Sequence, residues 1–185
     1  MKRAVSVSIG SSKRDKAVTV KLNGEEISIE RIGTDGDLKK AAQLFKEMDG
    51  TVDAFGLGGG DFGTEFAGKF FKYHNVAWIA DDAKKTPVVD GSGLRNTLEA
   101  RLAKFIEDEV GDEINPKTVL FPAASDRWGL TKGFIDAGYE YIFGELMFGL
   151  GIPIPLRSIN SLKILVSALF PIVFRLPFSW IYPTG

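Results

Sequence analysis

Four polar stretches of this chain, three of them carrying glycine, each follow a short apolar run: Gly10-Ser11-Ser12-Lys13-Arg14-Asp15, Gly56 to Gly63, Asp90 to Asn96, and Ala123 to Arg127. Glycine lets a backbone come close to a ligand, and free N–H groups at helix starts attract anions. The chemistry this composition suits is recognition of a small anionic or polyhydroxylated ligand. Lys13 has the side chain of an acid/base or of an oxyanion partner, and Asp15 could orient it. The alternative for that stretch is a solvated loop.

The second stretch contains Gly58-Gly59-Gly60-Asp61-Phe62-Gly63, which fits G-x-G-x-x-G. That pattern means a dinucleotide site only where a strand precedes it and a helix follows. Here Thr64-Glu65-Phe66-Ala67-Gly68 is a poor helix start, so a tight turn or a ligand loop competes with the fingerprint. Gly58, Gly60 and Asp61 are its candidate contacts.

Asp90-Gly91-Ser92-Gly93-Leu94-Arg95-Asn96-Thr97 is a fuller signal. An apolar run delivers Asp90, the glycines allow a turn, and a helix pattern opens at once. Ser92 could cap that helix or bind an anion, and Arg95 could pair with a carboxylate or phosphate. An ordinary strand-to-helix turn explains the same residues. Asp126-Arg127 offers either a further contact or a local ion pair. Asp35 and Asp37 are expected to cap the helix that follows them.

Other chemistries lack their residues. There are no cysteines and one histidine, His74, so thiolate and His-rich metal sites are excluded. A hard-cation site among Asp61, Asp90 and Asp126 would need the fold to gather them. No G-x-S-x-G elbow and no Walker loop occurs. A net charge of −1 provides no basic field for nucleic acid.

The elements that must place these loops follow from periodicity. Ala4–Ile9 alternates as a strand, unlike the unbroken apolar core of a signal peptide. Asn23-Gly24 between Ala17–Leu22 and Glu26–Ile32 predicts an antiparallel hairpin. Leu38, Ala41, Ala42, Phe45 and Met48 mark one face of a helix, and Leu94, Leu98, Leu102, Phe105 and Ile106 one face of another. Asn75 is expected to cap a short helix reaching Ala83. Short strands at 52–55, 87–89, 118–121 and 139–143, with helices between, predict an α/β, Rossmann-like fold on a largely parallel sheet. The 21 glycines, against a usual share of about 7%, gather where those strands end.

The expected organisation is a ligand-binding domain over 1–150 and a Pro-rich linker with an apolar tail over 151–185. The tail carries Phe170, Phe174, Phe178 and Trp180, and Pro171 and Pro177 should kink or divide its helix. Its uncharged stretch between Lys163 and Arg175 is eleven residues, about 16 Å of helix against the ~30 Å of a bilayer core. A tail packed on the core, or a homo-oligomeric surface, is expected before a membrane span. The absence of cysteines suits the cytoplasm.

Several of these strings resemble a bacterial family labelled quinate 5-dehydrogenase, related by that label to quinate/shikimate oxidoreductases. They are Val5 to Asp15, Ile32-Gly33-Thr34-Asp35-Gly36-Asp37, Val52 to Gly59, Thr86 to Glu99, and Phe143 to Ser158. The stretch Asp61–Tyr73 departs most from the pattern. The likeness implies NAD- or NADP-dependent oxidation of a cyclic hydroxy acid, on a chain continuing past Tyr182-Pro183-Thr184-Gly185. Gly10, Ser11, Ser12, Gly58, Gly60, Asp61, Gly91, Ser92 and Gly93 would then hold the cofactor. Arg95, Asn96 and Arg127 would hold the substrate. Lys13 and Asp90 would be catalytic, by loop position, with Lys13 moving the hydroxyl proton. Without that likeness, the residues alone equally fit a non-catalytic module binding a phosphorylated or carboxylated metabolite.

Overall fold

A computed structural model describes residues 1–181, and Tyr182–Gly185, where the likeness expects the chain to continue, lie outside the described residues. The chain divides into two compact units. Unit 1 comprises Met1–Gly63, Lys72–Gly91 and the described residues from Val173; unit 2 comprises Thr64–Phe71 and Ser92–Ile172. Residue 150, the expected boundary, falls inside unit 2.

Unit 1 is built on a five-stranded sheet. Strands β1 (Lys2–Ser8), β2 (Lys16–Leu22), β3 (Glu25–Gly33), β4 (Ala54–Gly58) and β7 (Val88–Val89) lie in the order β2-β3-β1-β4-β7. The β1/β3, β1/β4 and β4/β7 pairs are parallel, and β2 runs antiparallel to β3. The hairpin turn has Asn23 at φ 50° and Gly24 at φ 86°, both positive as a two-residue type I′ turn requires. Period-two alternation turns Val5 and Val7 of β1, Ile9 just after it, and Phe55 and Leu57 of β4 into the core. Helix α1 (Leu38–Met48) supplies Ala41 and Phe45 to the same core. Phe45 meets Phe55 edge-on, with ring centroids 5.1 Å apart. Asp37 caps α1 by accepting the Lys40 N–H at 2.9 Å.

Two expectations in unit 1 are corrected. Gly56 and Gly58 belong to β4 rather than to the loop after it, because their pairing with Ser6 and Ser8 of β1 continues the ladder. The segment after Asn75 is a short 3-10 turn, Ala77–Ala80, with no side-chain cap; the Asn75 amide instead donates to the Leu176 carbonyl at 3.2 Å.

Unit 2 contains a βαβ unit. Parallel strands β8 (Thr118–Phe121) and β9 (Glu140–Phe143) are joined through α4 (Trp128–Asp136). The hairpin β5 (Gly63–Phe66) and β6 (Lys69–Lys72) precedes it in the chain. Helical residues 92–110 form α2 (Ser92–Thr97), a 3-10 turn at Glu99–Arg101, and α3 (Leu102–Val110).

The apolar face of this run is largely exposed, with Ile106 half-buried. Leu94, Leu98, Leu102 and Phe105 are 63%, 66%, 41% and 60% exposed, and Ala103 is buried instead. The reason is close backbone packing. A Cβ on Gly129 of α4 would sit 2.9 Å from the Arg95 carbonyl, and one on Gly133 would sit 2.7 Å from the Ala100 carbonyl. The small faces of the two helices meet, and the large apolar face is left outside.

The tail is packed in part, as one of its two expected fates required. Helix α5 (Ile159–Val173) buries Leu162 and Val166, and runs through Pro171 without dividing there; Pro177 lies in the break before α6 (Phe178–Ile181). In unit 2, Phe170 packs edge-on against Phe71 at 5.3 Å. In unit 1, Phe174 packs on Tyr73 at 4.1 Å and Phe178 joins the core. Trp180 is 76% exposed. No helix among the described residues is long and apolar enough to cross a membrane.

Candidate functional site

The strand order of unit 1 reverses at β1. From β1 the chain goes to β3 on one side, then returns through α1 to β4 on the other. Beyond the carboxyl ends of β1 and β4 lies the place where open parallel sheets hold ligands. Two sequence-predicted loops, 10–15 and 59–61, leave the sheet there.

Most polar groups of the first loop brace it. The Arg31 guanidinium donates to the Ser11 carbonyl (2.9 Å), the Asp15 carboxylate (2.8 Å) and the Ser8 hydroxyl (2.8 Å). Asp15 also accepts the Gly33 N–H at 2.6 Å, so it ties down backbone rather than orienting Lys13. Ser11 caps the 3-10 turn Ser12–Arg14, its hydroxyl accepting the Lys13 N–H at 3.3 Å. Asp35 accepts the Ser12 N–H at 2.7 Å, which holds its carboxyl below the ordinary aspartate range. The expected helix cap is therefore a loop brace, and Asp37 alone does the capping. Gly33 is required, since a Cβ there would lie 2.6 Å from the Ser12 nitrogen.

The bracing uses the side chain of neither Lys13 nor Arg14, and of the two it is Arg14 that stands at Gly10. Its guanidinium lies across Gly10, 2.6 Å from where a Cβ would stand, and it has no carboxylate partner among the described residues. On the β4 side, Gly59 adopts φ 72° with its Cα side against the Gly10 nitrogen, at 3.1 Å from a built Cβ. Gly60 packs on Val76 and Ile9, which a side chain would strike. The N–H groups of Gly59 and Gly60 find no protein acceptor among the described residues. The Arg14 guanidinium and Gly59 thus adjoin Gly10, and the Gly59 and Gly60 amides have no protein acceptor among the described residues. The sequence singles out Lys13 in this loop, and nothing in it sets Arg14 apart.

The remaining candidates of unit 1 take other places. Gly58-Gly59-Gly60-Asp61-Phe62-Gly63 leads into β5, not a helix. Asp90 accepts the Phe62 N–H at 2.9 Å and so braces the glycine loop. The Asp61 carboxylate points toward Gly91, with Oδ1 3.8 Å from a built Cβ.

In unit 2, Arg95 pairs with Asp126 at 3.5 Å, and Arg127 pairs with Glu99 and, at 3.6 Å, with Asp126. Both arginines thus have internal partners. Ser92 is the first residue of α2 and Gly93 the second. Asn96 lines a cleft of about 660 Å³ together with Trp128, Lys132 and Lys163. Beyond β9, Glu145 accepts the Ser125 N–H at 2.8 Å. Burial pushes its carboxyl up despite that bond, and its second oxygen has no partner among the described residues. The described residues contain no cluster of three His, Cys, Asp or Glu side chains able to hold a metal ion.

A family model described as Domain of unknown function (DUF8754) matches residues 93–185, just over half of the chain. The chain belongs to that family. Residues 3–90 match a second model, Domain of unknown function (DUF8753). The first match ends at residue 90 and the second begins at 93, on either side of the Gly91–Ser92 step, which is one of the points where the chain passes from unit 1 to unit 2. No curated protein and no solved structure matches the chain.

Proposed function

We propose that unit 1 is a Rossmann-like binding module for a phosphorylated or carboxylated metabolite, held beyond the carboxyl ends of β1 and β4. The observation that carries this reading is the unmatched Arg14 guanidinium over Gly10. It lies where the strand order reverses and beside the unmatched N–H groups of Gly59 and Gly60. A guanidinium and two backbone amides supply the planar charge and the directed donors that an anion needs. Screening inorganic phosphate, sugar phosphates and hydroxy acids by calorimetry tests it. An anion present at 100 times its dissociation constant should add about 2.7 kcal/mol of stability.

The likeness to the quinate 5-dehydrogenase family favours a second reading, an NAD- or NADP-dependent oxidoreductase acting on a cyclic polyhydroxy acid. The same anion site would then take a cofactor phosphate or the substrate carboxylate. With no helix after Gly58–Gly63, loop amides rather than a helix dipole would hold a pyrophosphate. Lys13 would exchange the substrate hydroxyl proton, and the cofactor when bound would accept the hydride. Binding of NADH or NADPH, followed by fluorescence, separates this from the binding module: neither nucleotide should bind if the module is non-catalytic. Under either reading the expected setting is the cytoplasm.

A further inference from the structure

The cleft of about 660 Å³ lies within the ~300–1,000 Å³ of clefts that take small molecules. Its lining comes from unit 2 alone, so it is a second site, independent of the one beyond β1 and β4. One wall is aromatic. Trp128, the first residue of α4, is half-buried and packs edge-on with buried Phe66 of β5, ring centroids 4.7 Å apart. The indole is thereby fixed in place before any ligand arrives. Another wall is the two-residue turn of the β5–β6 hairpin, Ala67-Gly68. Ala67 stands at φ 51°, a conformation that Asn or Gly takes more readily. Without a polar side chain at that turn, the wall is small and uncharged.

The charges of the cleft cancel. Lys132 and Asp136, one turn apart on α4, pair with each other. That leaves Glu65 of β5 and Lys163 of α5, one of each sign, both exposed and without a partner among the described residues. The Asn96 side chain of α2 is likewise exposed and unpartnered among them. A carboxylate only accepts hydrogen bonds, an ammonium only donates them, and an amide does both. The group that answers all three is a hydroxyl. A cleft with balanced charge exerts no net pull on a phosphate or carboxylate. The C–H face of a pyranose ring suits an indole, which joins an apolar body to a polar N–H.

We infer that the unit 2 cleft binds a neutral sugar, with Trp128 against the ring and Glu65, Asn96 and Lys163 on its hydroxyls. Amide and indole nitrogen–proton NMR of the full chain tests it, by titration with D-glucose, D-galactose, N-acetyl-D-glucosamine and maltose at millimolar concentrations. The chain has three tryptophans, so the Trp128 indole signal is assigned by its loss in Trp128→Phe. At least one sugar should shift that signal saturably and leave those of Trp78 and Trp180 in place. Glu65→Ala and Lys163→Ala should each weaken that sugar about tenfold, as loss of a hydrogen bond to a charged group does, and Asn96→Ala about threefold. All three altered side chains are exposed, and an unchanged remainder of the spectrum shows each variant folded. Inorganic phosphate, the probe of the unit 1 site, should leave the Trp128 signal where it is, so the two sites stand or fall separately. The inference is overturned if none of the sugars moves the Trp128 indole, or if phosphate or L-serine moves it as far as any sugar does. Sugar affinity unchanged in all three variants overturns it equally.

Discussion

The carboxylate of Asp35 accepts the backbone N–H of Ser12 at 2.7 Å, and so joins the loop after β3 to the loop after β1. Asp35 also sits at φ 52°, a conformation that Asn and Gly tolerate and Ala does not. Asp35→Ala should lower the melting temperature more than Asp35→Gly, and Asp35→Asn least. The Ser12 hydrogen bond holds the folded carboxyl below its ordinary value. Its stabilisation is present above the ordinary aspartate range and is lost as pH falls through the depressed value. The Asp35→Asn protein should therefore lose less stability between neutral and acidic pH than the parent, measured by urea denaturation.

Gly33 lies against the other side of the same junction. Its missing Cβ leaves room for the Ser11 carbonyl, 2.7 Å from the built position. Gly33→Ala must displace backbone rather than a flexible side-chain end. The expected loss is about 1–3 kcal/mol or more, the range for overpacking a buried position. Gly68→Ala meets nothing within 4 Å and should fail only through its positive φ. Comparing the two in urea separates steric from dihedral cost.

Glu145 titrates in the opposite sense to Asp35. Burial raises its folded value, with the Ser125 N–H pulling the other way. The folded state therefore holds its proton more tightly than the unfolded one, and stability falls as pH rises from the ordinary glutamate range through the raised value. Glu145→Gln keeps an oxygen for Ser125 and removes the charge. The variant should match the parent in acid and exceed it at neutral pH, as read from melting temperature against pH. A variant less stable at neutral pH would mean the carboxylate is needed as a charge.

The tail makes a within-chain comparison. Phe178 is buried in the unit 1 core at 7% exposure, whereas Trp180, two residues on, is 76% exposed. Phe178→Ala should cost about 3–5 kcal/mol. Trp180→Ala should change stability by no more than about 0.5 kcal/mol. Equal losses at the two positions would contradict the placement of α6.

Much of the fold was legible from local rules. Asn23-Gly24 announced its hairpin because few pairs tolerate two positive φ values, and the alternation of Val5, Val7 and Ile9 marked the buried face of β1. The helix spanning 92–110 was legible as a helix but not in its orientation. Hydropathy scores Leu94 and Phe105 as interior, yet Ala100 and Ala103 let α4 approach closely at Gly129 and Gly133, and hydropathy does not register backbone proximity. The site was legible as a set of loops. That Asp15 braces the loop instead of orienting Lys13 was not, because Arg31 reaches it from β3, a pairing sixteen residues apart in sequence. The braces made by Asp90, a catalytic candidate, and by Arg95 and Arg127, candidate substrate contacts, were hidden for the same reason. Their internal partners, Phe62, Asp126 and Glu99, are distant in sequence.

The central claim is that Arg14 and the amides of Gly59 and Gly60 form one anion site. Titration of the full-length protein with inorganic phosphate, followed by amide nitrogen–proton NMR, tests it most directly. Saturable shifts of the Gly59 and Gly60 resonances are expected in the wild type. At least a tenfold weaker apparent affinity, about 1.4 kcal/mol, is expected in Arg14→Gln, with the rest of the spectrum unchanged. Resonances of Gly59 and Gly60 that do not move, or that move identically in Arg14→Gln, would contradict it.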